Sequence, residues 1–506
     1  MIERNGTIVY IWLDGGYKKV GALLIEEEGG NIQRSRFQYD EAYLKRQDAF
    51  PMDPAGLPLS IGDRIMTNRP GRNMFGFIDS CPDNWGQWIL GALATERGRD
   101  FSNFEWLMAG GPNRIGALAY GDKRGPLFKS DLQLEYQTHT EYDLKLMQQA
   151  MTEFEEKGYH GMNRILRRYL GGGSSAGGAR PKTILTLEDG TPALAKFRSK
   201  DDKMNVCRVE YATMEFAREI GLPVPPTHIR TIEGHDIFLI ERFDRTPAGD
   251  KFHLCTASTM VQANYGIRYI NDRHYYSEIT KAIDKYGAPG HVQEDRESLF
   301  RRMVYNVLMN NEDDHLRNHA FLHKEEGWRL SPLYDIVPAE QPVRHLFTAP
   351  SDAGTEMTLS NALEGRGAFG LSLEDARDIV GEMTERFFSD WEKHFLDCGV
   401  GQREMDLMER VLGPRTRSRR DLEHDPWVRT NFLSQSIQVT DTVSRSILDD
   451  GERKRRDRVF DDAVASCAIE GLHLSEEDQE EVREVYRSLA TSDEMIVHLK
   501  NSMGIK

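Results

Sequence analysis

The segment Asn310-Asn311-Glu312-Asp313-Asp314-His315-Leu316-Arg317-Asn318, followed by Leu333-Tyr334-Asp335-Ile336, concentrates acids and amides in the way phosphoryl transfer requires. That reaction needs an acid to orient a hydroxyl nucleophile and oxygen ligands to hold magnesium on the phosphates. Asp313 and Asn318 stand five residues apart, the spacing of a catalytic Asp and a metal-binding Asn in phosphoryl-transfer loops. Asp335 follows an intervening hairpin pattern, where a second metal-binding carboxylate would sit. A polar turn rich in Asp and Asn would share this composition. Asp335 and the upstream elements, in this order, weigh toward chemistry.

Lys196 ends an apolar strand pattern, Ala193-Leu194-Ala195, and precedes Phe197. Burying an unpaired lysine is costly, so a lysine inside such a strand usually serves a phosphate or a carboxylate. Glu210, on the next predicted helix, could be that carboxylate. The alternative is a lysine at the end of an exposed strand. Upstream, Gly171 to Lys182 reads GGGSSAGGARPK and lacks the Gly-Lys-Ser/Thr ending of a P-loop. Its glycines, Gly177 and Gly178 among them, would still let backbone N–H groups close over phosphates beside Lys182. Taken alone, the run describes a flexible linker equally well. Downstream, Phe238-Leu239-Ile240 leads into Glu241-Arg242-Phe243-Asp244-Arg245, a strand emerging into a charged turn whose backbone could read adenine.

The elements around these groups follow from hydrophobic period and turn residues. Residues 7–12 and 19–25 predict strands around Gly15 and Gly16, and FQYDEAYL, from Phe37, predicts a strand entering a short helix. Asn84 predicts a helix start, with Trp85, Trp88, Ile89 and Leu93 on one face. Helical spacing runs from Glu141 to Tyr169. After the glycines, TILTL and PALAKF flank an Asp189-Gly190 hairpin turn. Met204 to Ile220 predicts a helix stopped by Gly221 and Pro223, and IRTI and DIFLIERF predict two more strands. Strands, one helix and strands again are the order of a nucleotide-binding lobe. Beyond Cys255 the pattern is mostly helical, clearest from Ser298 to Asn310, with HAFLH and GWRLS as short strands. Helices resume at Leu373 and reach about Leu412, and Gly413-Pro414 opens a charged linker.

Composition sets the bounds. The chain has 506 residues, 39% hydrophobic and 29% charged, as a soluble globular protein of two to four folding units would. No apolar run is long enough to cross a bilayer, and Met1 to Gly6 does not read as a secretory signal. Five scattered cysteines without a CxxC pair argue against a disulfide framework or structural zinc and fit a cytoplasmic location. A formal net charge of -16 repels nucleic acid. The basic clusters, Arg415 to Arg420 and Arg453 to Arg458, lack interleaved aromatics and read as solvated linker or helix faces. Neither direct nucleic-acid binding nor a membrane is expected.

The stretches FGFIDSCPDNWGQWIL, SSAGGARPKT, ALAKF, EYATMEFAREIGLPVP, FLIERFDR, NEDDHLRNHAFL and LSPLYDIVP span about Phe75 to Pro338 and resemble the HipA family of toxin kinases. The resemblance implies an α+β, two-lobed protein-kinase-like fold. It would comprise a β-rich N-terminal subdomain (1–125), an N-lobe with the Gly-rich loop (126–250), a helical C-lobe (251–412), a linker (413–455) and a small helical appendage (456–506). It also implies an ATP- and Mg2+-dependent serine/threonine kinase. Asp313 would be the catalytic base, and Asn318 and Asp335 the metal ligands. Lys196, with Gly177, Gly178, Lys182 and His315, would contact ATP, while the segment from Glu241 to Phe243 would form the adenine hinge. Ser175 matches the family's autophosphorylated serine. Phosphorylation there adds close to two negative charges and would expel the loop from the ATP phosphates, a self-inactivation. Ser174 is adjacent and could substitute. Family members similar to this chain phosphorylate a translation protein, typically an aminoacyl-tRNA synthetase, and pair with an antitoxin.

Residues from Arg456 onward predict three amphipathic helices. Within the first, Ser466-Cys467-Ala468-Ile469-Glu470-Gly471 resembles the inhibitory helix of antitoxins that silence Fic AMP-transferases. A Glu470-Gly471 pair that simply ends a helix is the competing reading. The main alternative to an active kinase is a catalytically silent kinase-fold scaffold, or an antitoxin that binds a Fic protein through this tail. A small-molecule kinase of related fold is a further possibility.

Overall fold

The alternating apolar and polar residues of the first forty positions build an antiparallel sheet. In the computed structural model, residues 2–413 are described apart from 68–73, 83, 97, 99, 128–138, 176–179 and 264–272, and apart from the side chains of 66, 67, 93, 96 and 171–175. All of them belong to one compact unit, and 414–506 lie outside the described residues. Strands β1 (Glu3–Leu13) and β2 (Gly16–Glu28) turn at Asp14-Gly15, both at positive φ (49° and 69°), the hairpin geometry that matches strand twist. With β3 (Asn31–Tyr39), β4 (Asp63–Thr67), β5 (Leu118–Asp122) and β6 (Gly125–Pro126) the sheet runs β4-β3-β2-β1-β5-β6. Helix α1 (Glu41–Leu44) starts at Asp40, whose side chain accepts from the Ala42 N–H. A 3-10 helix (Phe75–Ser80), α2 (Asn84–Glu96) and α3 (Asn103–Ala109) fill the long connection from β4 to β5. On α2, Trp85 and Ile89 are buried as the spacing predicts, but Trp88 is 48% exposed, its ring resting against Trp85 and Phe154 at the rim of the core.

The predicted helix from Glu141 to Tyr169 is broken in the structure. A short 3-10 turn precedes α4 (Leu144–Gly161), which kinks at Gly158 (φ 68°), and a second 3-10 helix covers Leu166–Ser175. Strands β7 (Lys182–Thr186), β8 (Pro192–Lys196), β9 (Thr227–Ile232) and β10 (His235–Glu241) form a second sheet in the order β7-β8-β10-β9. One face, with Ala193, Ala195, Phe197, Ile237 and Leu239, packs on Trp85, Met147 and Phe154 from α2 and α4. Side chains alternate along a strand, so Leu194 and Lys196 must point to the other face. There α5 (Val206–Glu219) is capped by Asn205 and fastened by Arg208, whose guanidinium donates to both Asp236 carboxylate oxygens at 2.9 and 2.7 Å.

The remainder is mostly helical: β11 (His253–Thr256), α6 (Ala257–Met260), β12 (His274–Tyr275), α7 (Tyr276–Tyr286), α8 (Val292–Leu308), β13 (Ala320–Lys324), β14 (Gly327–Leu330), β15 (Thr348–Ala349), α9 (Leu359–Gly365), α10 (Leu373–Asp397) and α11 (Gln402–Leu412). Helix α8 begins six residues before the predicted Ser298, because Glu294 and Asp295 favour a first turn that carries no apolar register. Strand β11 pairs with β13, and their separation in the chain makes the pairing invisible to local pattern. Among the described residues no helix is long and apolar enough to cross a membrane.

Candidate active site

Lys196, turned away from the apolar core by strand parity, is 7% exposed and meets Glu210 of α5, itself 2% exposed. Its Nζ donates to Glu210 Oε1 at 2.5 Å and to Asp335 Oδ1 at 2.7 Å. One cation is thus shared by two carboxylates from different parts of the chain. Burial pulls the Lys196 pKa down, but Asp335 and Glu210 outweigh it and hold it above the ordinary lysine value. Lys196 keeps the Asp335 pKa well below the carboxylate range against burial, with Lys182 and His315 adding to the effect. Burial instead raises the Glu210 pKa, and Lys196 offsets it only in part. A single shared charge cannot compensate both acids, and Asp335 takes the larger share.

Asp335 stands at φ +60°, a left-handed conformation that non-glycine residues seldom adopt. Asn310, at the head of the catalytic-type loop, is similar at φ +53°. Its side chain accepts from the Val343 N–H and donates to the Gln341 carbonyl, which draws 341–343 over the loop. Such strain persists only where surrounding contacts over-determine it, and it concentrates at functional sites.

Asp313 projects into the cleft with its side chain 64% exposed, 3.7 Å from His315 Nε2. Its carboxylate meets solvent, but protein atoms crowd it at longer range. That burial, with Asp335, Asp314 and Glu312, raises its pKa above the ordinary value, against the pull of His315. Asn318 donates its amide N–H to the Asp313 carbonyl at 2.7 Å, leaving the amide oxygen as the group able to bind a cation. The neighbouring Asp314 has a different place. It is buried, accepts from Tyr276 Oη at 2.5 Å and contacts His319 Nε2 at 2.8 Å, while its carbonyl accepts from Thr348 Oγ1 at 2.6 Å. Asp314 therefore anchors the loop from below while Asp313 faces outward.

These groups line a cleft of about 970 Å3, a size that suits a nucleotide. Lys182 lies in its wall, 3% exposed, its own carbonyl accepting from Trp85 Nε1. Ile184, Leu194, Ile240, Phe243 and Tyr334 supply an apolar section, with the Phe243 and Tyr334 rings 5.4 Å apart. At the strand end, the N–H groups of Glu241 and Arg242 donate to Pro226 and Pro192 carbonyls, both at 2.9 Å. The two prolines have no N–H to return, so the Glu241 and Arg242 carbonyls receive no bond from them. Gly177, Gly178 and the side chain of Ser175 lie outside the described residues, as do Ser466, Glu470 and Gly471.

The donor set suits magnesium and a polyphosphate. Among the described residues no three His, Cys, Asp or Glu side chains form a metal cluster. A carboxylate from Asp335 with an amide oxygen from Asn318 is the small protein share that magnesium takes, phosphate and water completing the shell. Buried lysines 182 and 196 bring two cationic side chains to the wall where a polyphosphate would lie.

Several lining residues carry no local sequence signal. Asp79, Asn84 and Ile115 come from the N-terminal third and reach the same cleft. Asp79 accepts from the Thr256 N–H and Oγ1 at 2.8 and 2.9 Å. The charged turn after β10, read from sequence as a strand end whose backbone could contact adenine, carries a buried triad: Asp244 accepts from Arg242 and Arg245 at 2.7 and 3.0 Å and from the Gly116 N–H at 2.8 Å. The two arginines also donate to the Asn113, Arg114 and Gly116 carbonyls, fastening the strand end to the segment that leads into β5.

Residues 9–121 match the family model of the HipA N-terminal domain, and residues 174–391 that of the HipA-like C-terminal domain. The chain is 31% identical over 150 residues to a protein of Haemophilus influenzae Rd named "Putative kinase", a match covering 28% of this chain and 43% of that protein. It is 25% identical over 361 residues to "Putative kinase Y4mE" of Sinorhizobium fredii NGR234, covering 65% of this chain and 77% of that protein. Among solved structures it is similar to HipA of Shewanella oneidensis MR-1, solved with HipB and its operator DNA. The TM-score is 0.55 at 16% identity, over 81% of this chain and 99% of that one. Both halves of the family are present in order, the kinase-like fold is shared, and the chain belongs to the HipA-like toxin family.

Proposed function

We propose that the protein is an ATP- and magnesium-dependent serine/threonine kinase acting on a protein hydroxyl. The observation that carries this reading is Lys196 bound to both Glu210 and Asp335, in one cleft with Asp313 and Asn318. Bound Mg-ATP would supply the transferable phosphoryl group and neutralise its charge. Asn318 and Asp335 would hold the metal, and Lys196 and Lys182 the phosphates. The Glu241 carbonyl and the Phe243 N–H would read the purine. Asp313, its pKa raised, would orient the acceptor hydroxyl and take its proton as the oxygen bonds to phosphorus and the bond to the ADP oxygen breaks. Ser175, or Ser174 beside it, would be the chain's own acceptor, and its phosphorylation would silence the enzyme. An antitoxin partner belongs to the same proposal, since the similar Shewanella oneidensis HipA was solved with HipB.

The test is incubation of the purified protein with Mg-ATP, followed by intact and peptide masses, with Asp313→Ala in parallel. One phosphate on the peptide holding Ser174 and Ser175 in wild type, and none in the variant, is the expected result. No phosphate together with no ATP binding would overturn the kinase reading in favour of a silent scaffold.

A further inference from the structure

A hydroxyl to be phosphorylated must come within hydrogen-bond reach of Asp313, so the chain carrying it must cross whatever flanks that residue. The flank is aromatic. Phe347 is 53% exposed, and its backbone N–H donates at 3.3 Å to the carbonyl of Glu312, the residue before Asp313. Its backbone is held on both sides. The Leu346 N–H donates to Thr355 at 2.8 Å, and its side chain is 2% exposed beneath the ledge. The Met357 N–H donates to Arg344 at 2.8 Å. On the other side Thr348 is buried, donates to the Asp314 carbonyl at 2.6 Å and pairs with His274 across β15 and β12. With both neighbours buried and pinned, the Phe347 ring has no route into the core.

Single exposed apolar side chains are ordinary. This one is tied directly to the two residues that bracket Asp313, through Glu312 on one side and Thr348–Asp314 on the other. We propose that Phe347 is the docking anchor for the phosphoacceptor, and that the acceptor is an extended peptide segment with an apolar side chain close to its Ser or Thr. The inference rests on the kinase reading above and adds the acceptor's character to it.

The test uses the full chain and an oriented peptide library in which each peptide has one central serine and one flanking position fixed in turn. With Mg-ATP, wild type should favour Leu, Ile, Met or Phe at one flanking position by on the order of fivefold, as partial burial of one apolar side chain allows. Phe347→Ala should flatten that preference, and Phe347→Glu should redirect it to Lys or Arg at the same position. Leu396→Ala, a control at a 52% exposed apolar residue on α10, should keep the wild-type pattern. An unchanged preference in Phe347→Glu, or the same loss in the control, would overturn the inference. In a Ser174→Ala, Ser175→Ala chain, which cannot silence itself at those positions, ATP turnover without labelling of any library peptide would overturn it too, while leaving the kinase reading standing. Only the absence of labelling and turnover alike would remove both.

Discussion

Replacing Lys196 by Met would leave Glu210 and Asp335 without their shared cation, and the structure sets the size of the effect. Glu210 is 2% exposed and bonded to Lys196 at 2.5 Å, so its loss of partner is the full penalty of an orphaned buried charge, about 3–5 kcal/mol. Asp335 adds little, because its side chain is 39% exposed and solvent screens its bond to about 1 kcal/mol or less. Glu210 has an escape: burial already raises its pKa, and without Lys196 it can take up a proton. The net loss for Lys196→Met should therefore be about 3 kcal/mol near pH 8 and smaller at pH 5. The sign follows from linkage. A carboxyl whose folded pKa is raised binds more protons folded than unfolded, so stability falls as pH rises from its unfolded value through its folded one. Urea unfolding at both pH values measures this. Adding Glu210→Gln should recover about 1–2 kcal/mol at pH 8 and flatten the pH dependence, because a neutral amide costs less to bury than an unpaired carboxylate. Phosphotransfer should stay at least about 100-fold down in both variants, since Lys196, one of the two lysines proposed to hold the phosphates, is gone in both. A single variant within about 0.5 kcal/mol of wild type, or a double variant no more stable than the single, would refute the argument, because either falls below an ordinary buried-pair loss.

Two further expectations concern the layers behind the site. Asp314→Asn keeps the shape but sets an amide N–H against either Tyr276 Oη or His319 Nε2, so it should cost about 1–3 kcal/mol. In a double-mutant cycle with Tyr276→Phe the two losses should add to less than their sum; full additivity in thermal melts would remove Asp314 from its role as anchor. Burial lowers the pKa of both His253 and His323 to about 4, with the Phe50 ring stacked on His323. Unfolded histidines titrate near 6.5, so the stability from burying these two neutral rings is present above that pH and lost as pH falls toward 4. His323→Gln should show a shallower fall in melting temperature between pH 7 and 4.5, and an unchanged slope would exclude His323 as a source of acid sensitivity.

Much of the candidate site is legible along the chain because its signals are local. The five-residue spacing of Asp313 and Asn318 lies within one loop, Lys196 stands at the end of one apolar strand, and Asp189-Gly190 marks its own turn. Helix α5 and the hairpin β7–β8 likewise emerge from period and caps. Glu210 could be paired with Lys196 because strand and helix are consecutive.

What the sequence left open depends on residues distant in the chain. That Asp335 joins Lys196, rather than merely following the loop, is a contact across 139 residues and is enforced by a left-handed backbone that no composition signals. The adjacent acids Asp313 and Asp314 look equivalent in sequence. Only packing sends one into the cleft and the other onto Tyr276 and His319, because successive side chains of the loop meet different surroundings. Nothing in the run after β10 signals that residues 113–116, ahead of β5, close on it and complete a buried triad. Asp79 and Asn84 reach the cleft with no local signal either. Residue type and spacing determined which chemistry the chain could perform; tertiary packing decided which of those residues share one low-dielectric cleft, where their charges act on each other.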